Sequence, residues 1–155
     1  NGVNFTDGLD GLASSVTVLV ATFFTVVAVG THSGIEPITC AVVGALMGFL
    51  LFNVFPAKVF MGDTGSMALG GAMSAMVIYS RSPFLFLLMG VCIVASAVSV
   101  VLQVGSFKLR HGKRIFKMAP LHHHFELLGY PETKVVSGYM IVTALACVAA
   151  LALFL

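Results

Sequence analysis

Five apolar stretches, each near the roughly 20 residues a helix needs to cross a bilayer, leave this chain little choice of fold. They run from about Leu12 to Gly30, Ile38 to Phe55, Ser66 to Tyr79, Phe84 to Val104 and Val136 to Leu155. The hydrocarbon region offers no water to backbone N–H and C=O groups, so such stretches satisfy themselves as helices. A soluble alternative fails on composition. Of 155 residues, 59% are hydrophobic and 9% charged, against about 25% charged in an ordinary soluble domain. The expected fold is all-α, a polytopic transmembrane bundle of about five spanning helices. The third stretch is short and Gly-rich, and must begin inside the loop before it or tilt little.

Orientation follows from counting charges. If all five stretches cross, the polar segments 1–11, 56–65 and 107–135 share one side. That side holds Lys58, Lys108, Arg110, Lys113, Arg114, Lys117 and Lys134, seven of the eight Lys and Arg, and the other side holds Arg81 in the tight turn Arg81-Ser82-Pro83. Basic loops stay cytoplasmic, so the shared side is expected to face the cytoplasm. The net charge of +2 is small, and no nucleic-acid partner is expected. Cys40, Cys92 and Cys147 each lie inside an apolar run, without C-x-x-C spacing, and read as small buried hydrophobes. The chain opens on Asn1 without an initiator Met, which suggests a fragment.

Three polar motifs stand out. The first is Asn4-Phe5-Thr6-Asp7-Gly8-Leu9-Asp10-Gly11. Its carboxylates share a face if the segment is helical, and its glycines let a ligand approach the backbone. The alternative is a helix entry with Asp-Gly turns. The second is Phe60-Met61-Gly62-Asp63-Thr64-Gly65-Ser66. Asp63 can join a Mg²⁺ shell, since that ion uses one or two carboxylates plus substrate phosphates, and the helix that opens here aims its positive end at an anion. Plain N-capping by Asp63, Thr64 or Ser66 is the alternative. The third is Met118-Ala119-Pro120-Leu121-His122-His123-His124-Phe125-Glu126. Adjacent imidazoles can bind phosphate, shuttle protons or ligate a metal, or form a solvated run.

Asn53 and Gln103 sit near the ends of apolar stretches, where they either line a cavity or bond helix to helix. Gly44-x-x-x-Gly48 reads as helix packing. Residues Lys108 to Lys117 can contact anionic lipid heads, or merely set topology. Gathered on one face, the motifs offer carboxylates, amides, imidazoles and cations at the water–lipid boundary. A reaction between a soluble diphosphate and a membrane-held phosphate needs that set, because the two substrates repel each other.

These motifs, in this order and at these separations, resemble the polyprenyl-phosphate N-acetylhexosamine-1-phosphate transferases over essentially the whole chain. The stretch Ala-Pro-Leu-His-His-His-Phe-Glu-Leu-Leu-Gly-Tyr-Pro-Glu looks specific to the branch acting on phospho-N-acetylmuramoyl-pentapeptide. The resemblance implies transfer of that group from UDP-N-acetylmuramoyl-pentapeptide to undecaprenyl phosphate, giving lipid I and UMP with Mg²⁺ as cofactor, at the bacterial plasma (inner) membrane. It implies Asp63, His122 and Asp7 as catalytic residues, with Asp63 on the metal. It implies substrate contacts from Asn4, Asp7, Asp10, Asn53, Phe60, Gln103 and His123, with Phe60 stacking on uracil. The family has ten spans, so residues 1–155 match the C-terminal half of one integral-membrane domain, with the N-terminal half as a partner and a homodimer compatible with the likeness. That missing half holds further family carboxylates and a lysine, and the chain alone is expected to be inactive. Ser96 stands where many members carry a glutamate. Three alternatives stay open: a related polyprenyl-phosphate sugar-1-phosphate transferase, an anion transporter and a non-catalytic membrane scaffold.

Overall fold

The computed structural model describes residues 1–81, 83–110 and 112–154. Ser82 of the expected turn, His111 of the basic segment and Leu155 at the end of the fifth stretch lie outside them. The described chain is helical: α1 (Gly2–Thr6), α2 (Leu12–Thr31), α3 (Glu36–Asn53), α4 (Gly62–Tyr79), α5 (Pro83–Met89), α6 (Val91–Leu109), α7 (Leu121–Glu126) and α8 (Glu132–Phe154).

The helix ends follow local chemistry. Gly11 takes φ +73° and turns the chain into α2, and Gly62 at φ +64° opens α4, both in the left-handed region that glycine enters without penalty. Pro37 in the first turn of α3 costs no hydrogen bond there. The fourth apolar stretch is not one helix. It breaks at Gly90, where a Cβ would stand 2.9 Å from the Phe86 carbonyl oxygen and 3.3 Å from the Phe86 ring. Glycine alone lets that turn close up.

Four helices are long and apolar enough to cross a membrane: α2, α3, α6 and α8. The expected polytopic helical bundle is present, and α4, which covers the third stretch, stands outside this set of four. α4 has 18 residues but starts on Gly-Asp-Thr-Gly-Ser and carries further Gly and Ser, which dilute its apolarity. The Phe107–Val135 segment also holds more order than a loop, since it contains α7 and the start of α8.

α2 is the hub. Within its apolar window 67% is buried, against 17% for α3, 22% for α6 and 28% for α8. It packs against α3, α4 and α8, while α1 is wedged between α4 and α6. The outer helices turn Leu51, Ile78, Val101 and Leu153 outward. In lipid that exposure carries no penalty, and helices associate through van der Waals fit. One apolar cluster joins α2, α4, α5 and α8 through Phe23, Phe24, Met73, Met76, Met89 and Ala150. The second joins Val3, Leu9, Leu12, Val16, Ile93 and Tyr139, and forms the floor under the polar end.

Two local expectations change. A Cβ at Gly44 or Gly48 would meet nothing within 4 Å, so this pair packs against no helix among the described residues. Cys92 and Cys147 are buried as expected, but Cys40 is exposed on the outside of α3.

Candidate functional site

The first motif is helical through Thr6 and no further; Asp7 caps α1 and residues 7–11 turn into α2. The condition for Asp7 and Asp10 to share a helix face is therefore not met, although both residues border one cavity. Asp7 lines a cavity of about 280 Å³ together with Asn4, Asp10, Asn53, Phe60 and Asp63. Six residues singled out in the sequence thus meet around one space, drawn from the first motif, the end of α3 and the start of α4.

Two hydrogen bonds fix the junction of the first and second motifs. The Asn4 Nδ2 donates to Asp63 Oδ1 at 2.9 Å and to Ser66 Oγ at 3.0 Å. Ser66 is buried and its hydroxyl also lies 3.0 Å from the Gly62 carbonyl oxygen. Asp63, Thr64 and Ser66 supply no side-chain cap to α4. Asp63 sits exposed in the first turn, where the helix dipole favours an anion. Burial lifts the Asp7 carboxyl above its ordinary range, and the nearby Asp63 lifts it further.

Asp10 faces the loop after α3. Its Oδ2 accepts the Ala57 N–H at 2.8 Å, and its own N–H donates to Glu132 Oε1 at 2.6 Å. Asn53 is buried and spans the same region. Its Oδ1 accepts from Ser14 at 2.9 Å, and its Nδ2 donates to the Val59 carbonyl at 2.9 Å. Asp10, Asn53, Ser14 and Glu132 together hold the loop that presents Phe60, which is 72% exposed at the cavity.

The three histidines diverge. His122 is fully buried, and neither ring nitrogen has a hydrogen-bond partner among the described residues. Its pKa is pushed down to about 4, by burial first and by His123 second. Its ring lies 4.3 Å from that of His123 and 6.4 Å from that of Tyr139, centroid to centroid. A Cβ on Gly8 would overlap His122 Nε2 and stand 2.9 Å from His123 Nε2. Both imidazoles therefore abut the first motif, one residue from Asp7. His123 Nδ1 pairs with Glu126 Oε2 at 2.6 Å. His124 is structural, its Nδ1 accepting the Lys117 N–H at 3.1 Å.

Gln103 is not brought to the cavity. Its Oε1 accepts the N–H groups of Ile115 and Phe116, both at 3.0 Å, and its Nε2 donates to the Phe116 carbonyl at 2.9 Å. Sequence reading gave no role to Ser14 or Glu132, and it assigned the glycines of the first motif to close approach by a ligand, whereas at Gly8 the close neighbour is the His122 ring. The bond between Glu132 and Asp10 spans 122 positions and leaves no local signal.

A second space, about 440 Å³ and apolar, lies between α6, α7 and α8, where Val91, Ala95, Phe125, Tyr130, Tyr139 and Val142 line it. Tyr139 joins the two regions, because its ring also packs toward His122.

Fold and site define a helical membrane protein with an acidic, amide-rich pocket at one end of its bundle. The chain belongs to glycosyl transferase family 4, whose profile matches residues 1–81. It is 56% identical over 148 residues to the phospho-N-acetylmuramoyl-pentapeptide-transferase of Clostridium novyi (strain NT), covering 95% of this chain and 45% of the relative. Proteins of the same name from Clostridium perfringens (strain 13) and Clostridium acetobutylicum are each 54% identical, over 98% and 97% of this chain and 48% and 47% of theirs. The chain spans about half the length of the curated relatives it matches.

Proposed function

We propose that the full-length protein carrying this chain transfers phospho-N-acetylmuramoyl-pentapeptide from its UDP-activated form to undecaprenyl phosphate, releasing UMP and forming lipid I on the cytoplasmic face of the bacterial plasma membrane. The observation that carries this reading is the meeting of Asn4, Asp7, Asn53, Phe60 and Asp63 around one cavity, with His122 and His123 against Gly8 beside it. The names of the relatives supply the transferred group.

The donor set fits an open Mg²⁺ site. Among the described residues no three His, Cys, Asp or Glu side chains enclose a metal. Asp7 and Asp63 line the same cavity, and the repulsion between them, which adds to burial in raising the Asp7 pKa, is one that a divalent cation relieves. Asp63, with Asp7 beside it, would hold the ion, and phosphate oxygens would complete its shell. When bound, it screens the two phosphates and stabilises charge on the transferring group.

The remaining roles fall to the chain itself. Asn4 holds Asp63 in place through its amide. Phe60 offers a flat face for a nucleobase. His122, neutral at pH 7 because of its lowered pKa, has one N–H to donate to a phosphate oxygen and one acceptor nitrogen. The apolar space behind Tyr139 gives an isoprenoid tail a place beside that imidazole. The anion-transporter alternative needs binding groups near mid-span, whereas these residues cluster at one end.

The test is Asp63→Asn in the full-length protein. Mg²⁺-dependent UMP release is expected to vanish while the protein stays folded. Normal turnover would remove Asp63 from the mechanism and the reading with it.

A further inference from the structure

The end of α6 is the part of the molecule that the proposed reaction does not use. Five of the eight Lys and Arg fall between Phe107 and Met118, with no Asp or Glu among them. Lys108, Arg110, Lys113 and Arg114 are exposed. Among the described residues none of these four has a carboxylate within ion-pair distance. Exposed Phe107, Leu109 and Ile115 are interleaved with them.

This segment is held in shape. Gln103 makes the three bonds to residues 115 and 116 described above. Ser106, a buried hydroxyl one turn on, donates to the Lys113 carbonyl at 2.9 Å. The chain is thereby folded back along the end of α6. Lys117 is tied separately, its Nζ donating to the Leu127 carbonyl at 3.1 Å. Holding four like charges close together is unfavourable unless an anion neutralises them.

We infer that the end of α6 and its return loop bind the anionic headgroups of the surrounding bilayer. Two features select a lipid surface over a soluble anion. The cations cap a helix whose outer half turns Val101, Leu102 and Val104 outward, an apolar face that continues into the hydrocarbon region. Apolar and basic side chains also alternate over the last turn, Phe107-Lys108-Leu109-Arg110, and adjoin again at Lys113-Arg114-Ile115, a mixture that lets a segment lie at the headgroup boundary with its cations toward phosphates. Gln103, placed outside the cavity, sets the spacing of these cations through its grip on the return loop.

The full-length protein is reconstituted in nanodiscs of phosphatidylcholine containing a minority of phosphatidylglycerol, and the lipid retained on the purified protein is quantified. Phosphatidylglycerol is expected to be enriched over phosphatidylcholine, and high salt is expected to erase the enrichment. The variant K108Q/R110Q/K113Q/R114Q is expected to cut it by about tenfold, and Gln103→Ala, which keeps every charge, to cut it partially. If the fourfold variant does not fold, Lys108→Gln and Arg114→Gln singly are each expected to lower it by about twofold. No enrichment in the unaltered protein overturns the inference, as does enrichment that survives both high salt and charge removal. Equal displacement by inorganic phosphate would also overturn it, by making this a site for free anions.

Discussion

Gly8 packs directly beneath the His122 imidazole, so closely that a methyl group at residue 8 would overlap the ring's Nε2. Gly8 has an ordinary backbone φ, unlike Gly11, so its glycine serves close approach and not a left-handed turn. The relationship is the physical link between the third motif and the first. Gly8→Ala is expected to push His122 and His123 away from Asp7 and to lower kcat/KM for UMP release by about 100-fold, since a displacement on the order of 1 Å at a reacting group has that effect. Steady-state kinetics of the full-length variant check it, and unchanged kinetics would show that the contact is incidental.

Burial of His122 makes stability depend on pH in a definite direction. Its pKa falls from 6.5 to about 4 on folding. Between those values the unfolded chain takes up a proton that the folded chain refuses. The stabilisation is therefore complete above about pH 6.5 and is lost as pH falls toward 4, by about 3 kcal/mol in all. Unfolding midpoints measured across that range should show the slope, and His122→Gln should flatten it. An equal slope in the variant would assign the effect to another group.

Asp7 acts in the opposite sense. A raised folded-state pKa favours the neutral acid, so the stability linked to Asp7 is present at low pH and is lost as pH rises through its folded value. At neutral pH the ionised carboxylate, facing Asp63, is a cost. Asp7→Asn is expected to raise the thermal midpoint at pH 7 while abolishing turnover. Mg²⁺ is expected to raise the midpoint of the unaltered protein more than that of Asp7→Asn or Asp63→Asn, read by differential scanning calorimetry with and without the ion.

Glu132 supports the site from the start of α8. Its carboxylate accepts the Asp10 N–H, and Asp10 in turn accepts the Ala57 N–H, so one residue of α8 braces two segments that line the cavity. Glu132→Ala is expected to weaken UMP binding by about tenfold, corresponding to loss of a charge-assisted hydrogen bond. Glu132→Gln keeps an acceptor oxygen and is expected to bind UMP nearly as well. Hydrogen exchange at the Asp10 and Ala57 amides should rise together in the alanine variant. Exchange that rises at neither would contradict the brace.

The apolar runs made the helices legible, because a spanning segment announces itself by length and hydropathy. The departures arise where a single residue overrides that average. Gly90 splits one run in two, and the Gly-Asp-Thr-Gly entry leaves α4 less apolar than the four longest apolar helices. Thr6 ends the first helix, which sends Asp7 and Asp10 to different neighbours. In the site, residue types and motif spacing marked Asn4, Asp7, Asn53, Phe60 and Asp63, all of which line the cavity. Gln103 looks the same in the sequence, a polar residue near the end of an apolar run, yet its amide closes a loop 12 and 13 residues onward. The partners of a buried amide are decided by tertiary packing, which no single-residue rule carries. The burial of His122 and its separation from His124 in role were likewise hidden, since three identical neighbours on a short helix look alike until the helix is docked.

The proposed chemistry requires that Asp63 and His122, 59 positions apart in the chain, act in one pocket on one nucleotide. A double-mutant cycle on the affinity of the full-length protein for UMP in the presence of Mg²⁺, using Asp63→Asn and His122→Gln, measures whether they do. A coupling of about 1 kcal/mol or more is expected, as for groups sharing one ligand. Effects that add to within about 0.3 kcal/mol, the behaviour of independent sites, would contradict a shared pocket.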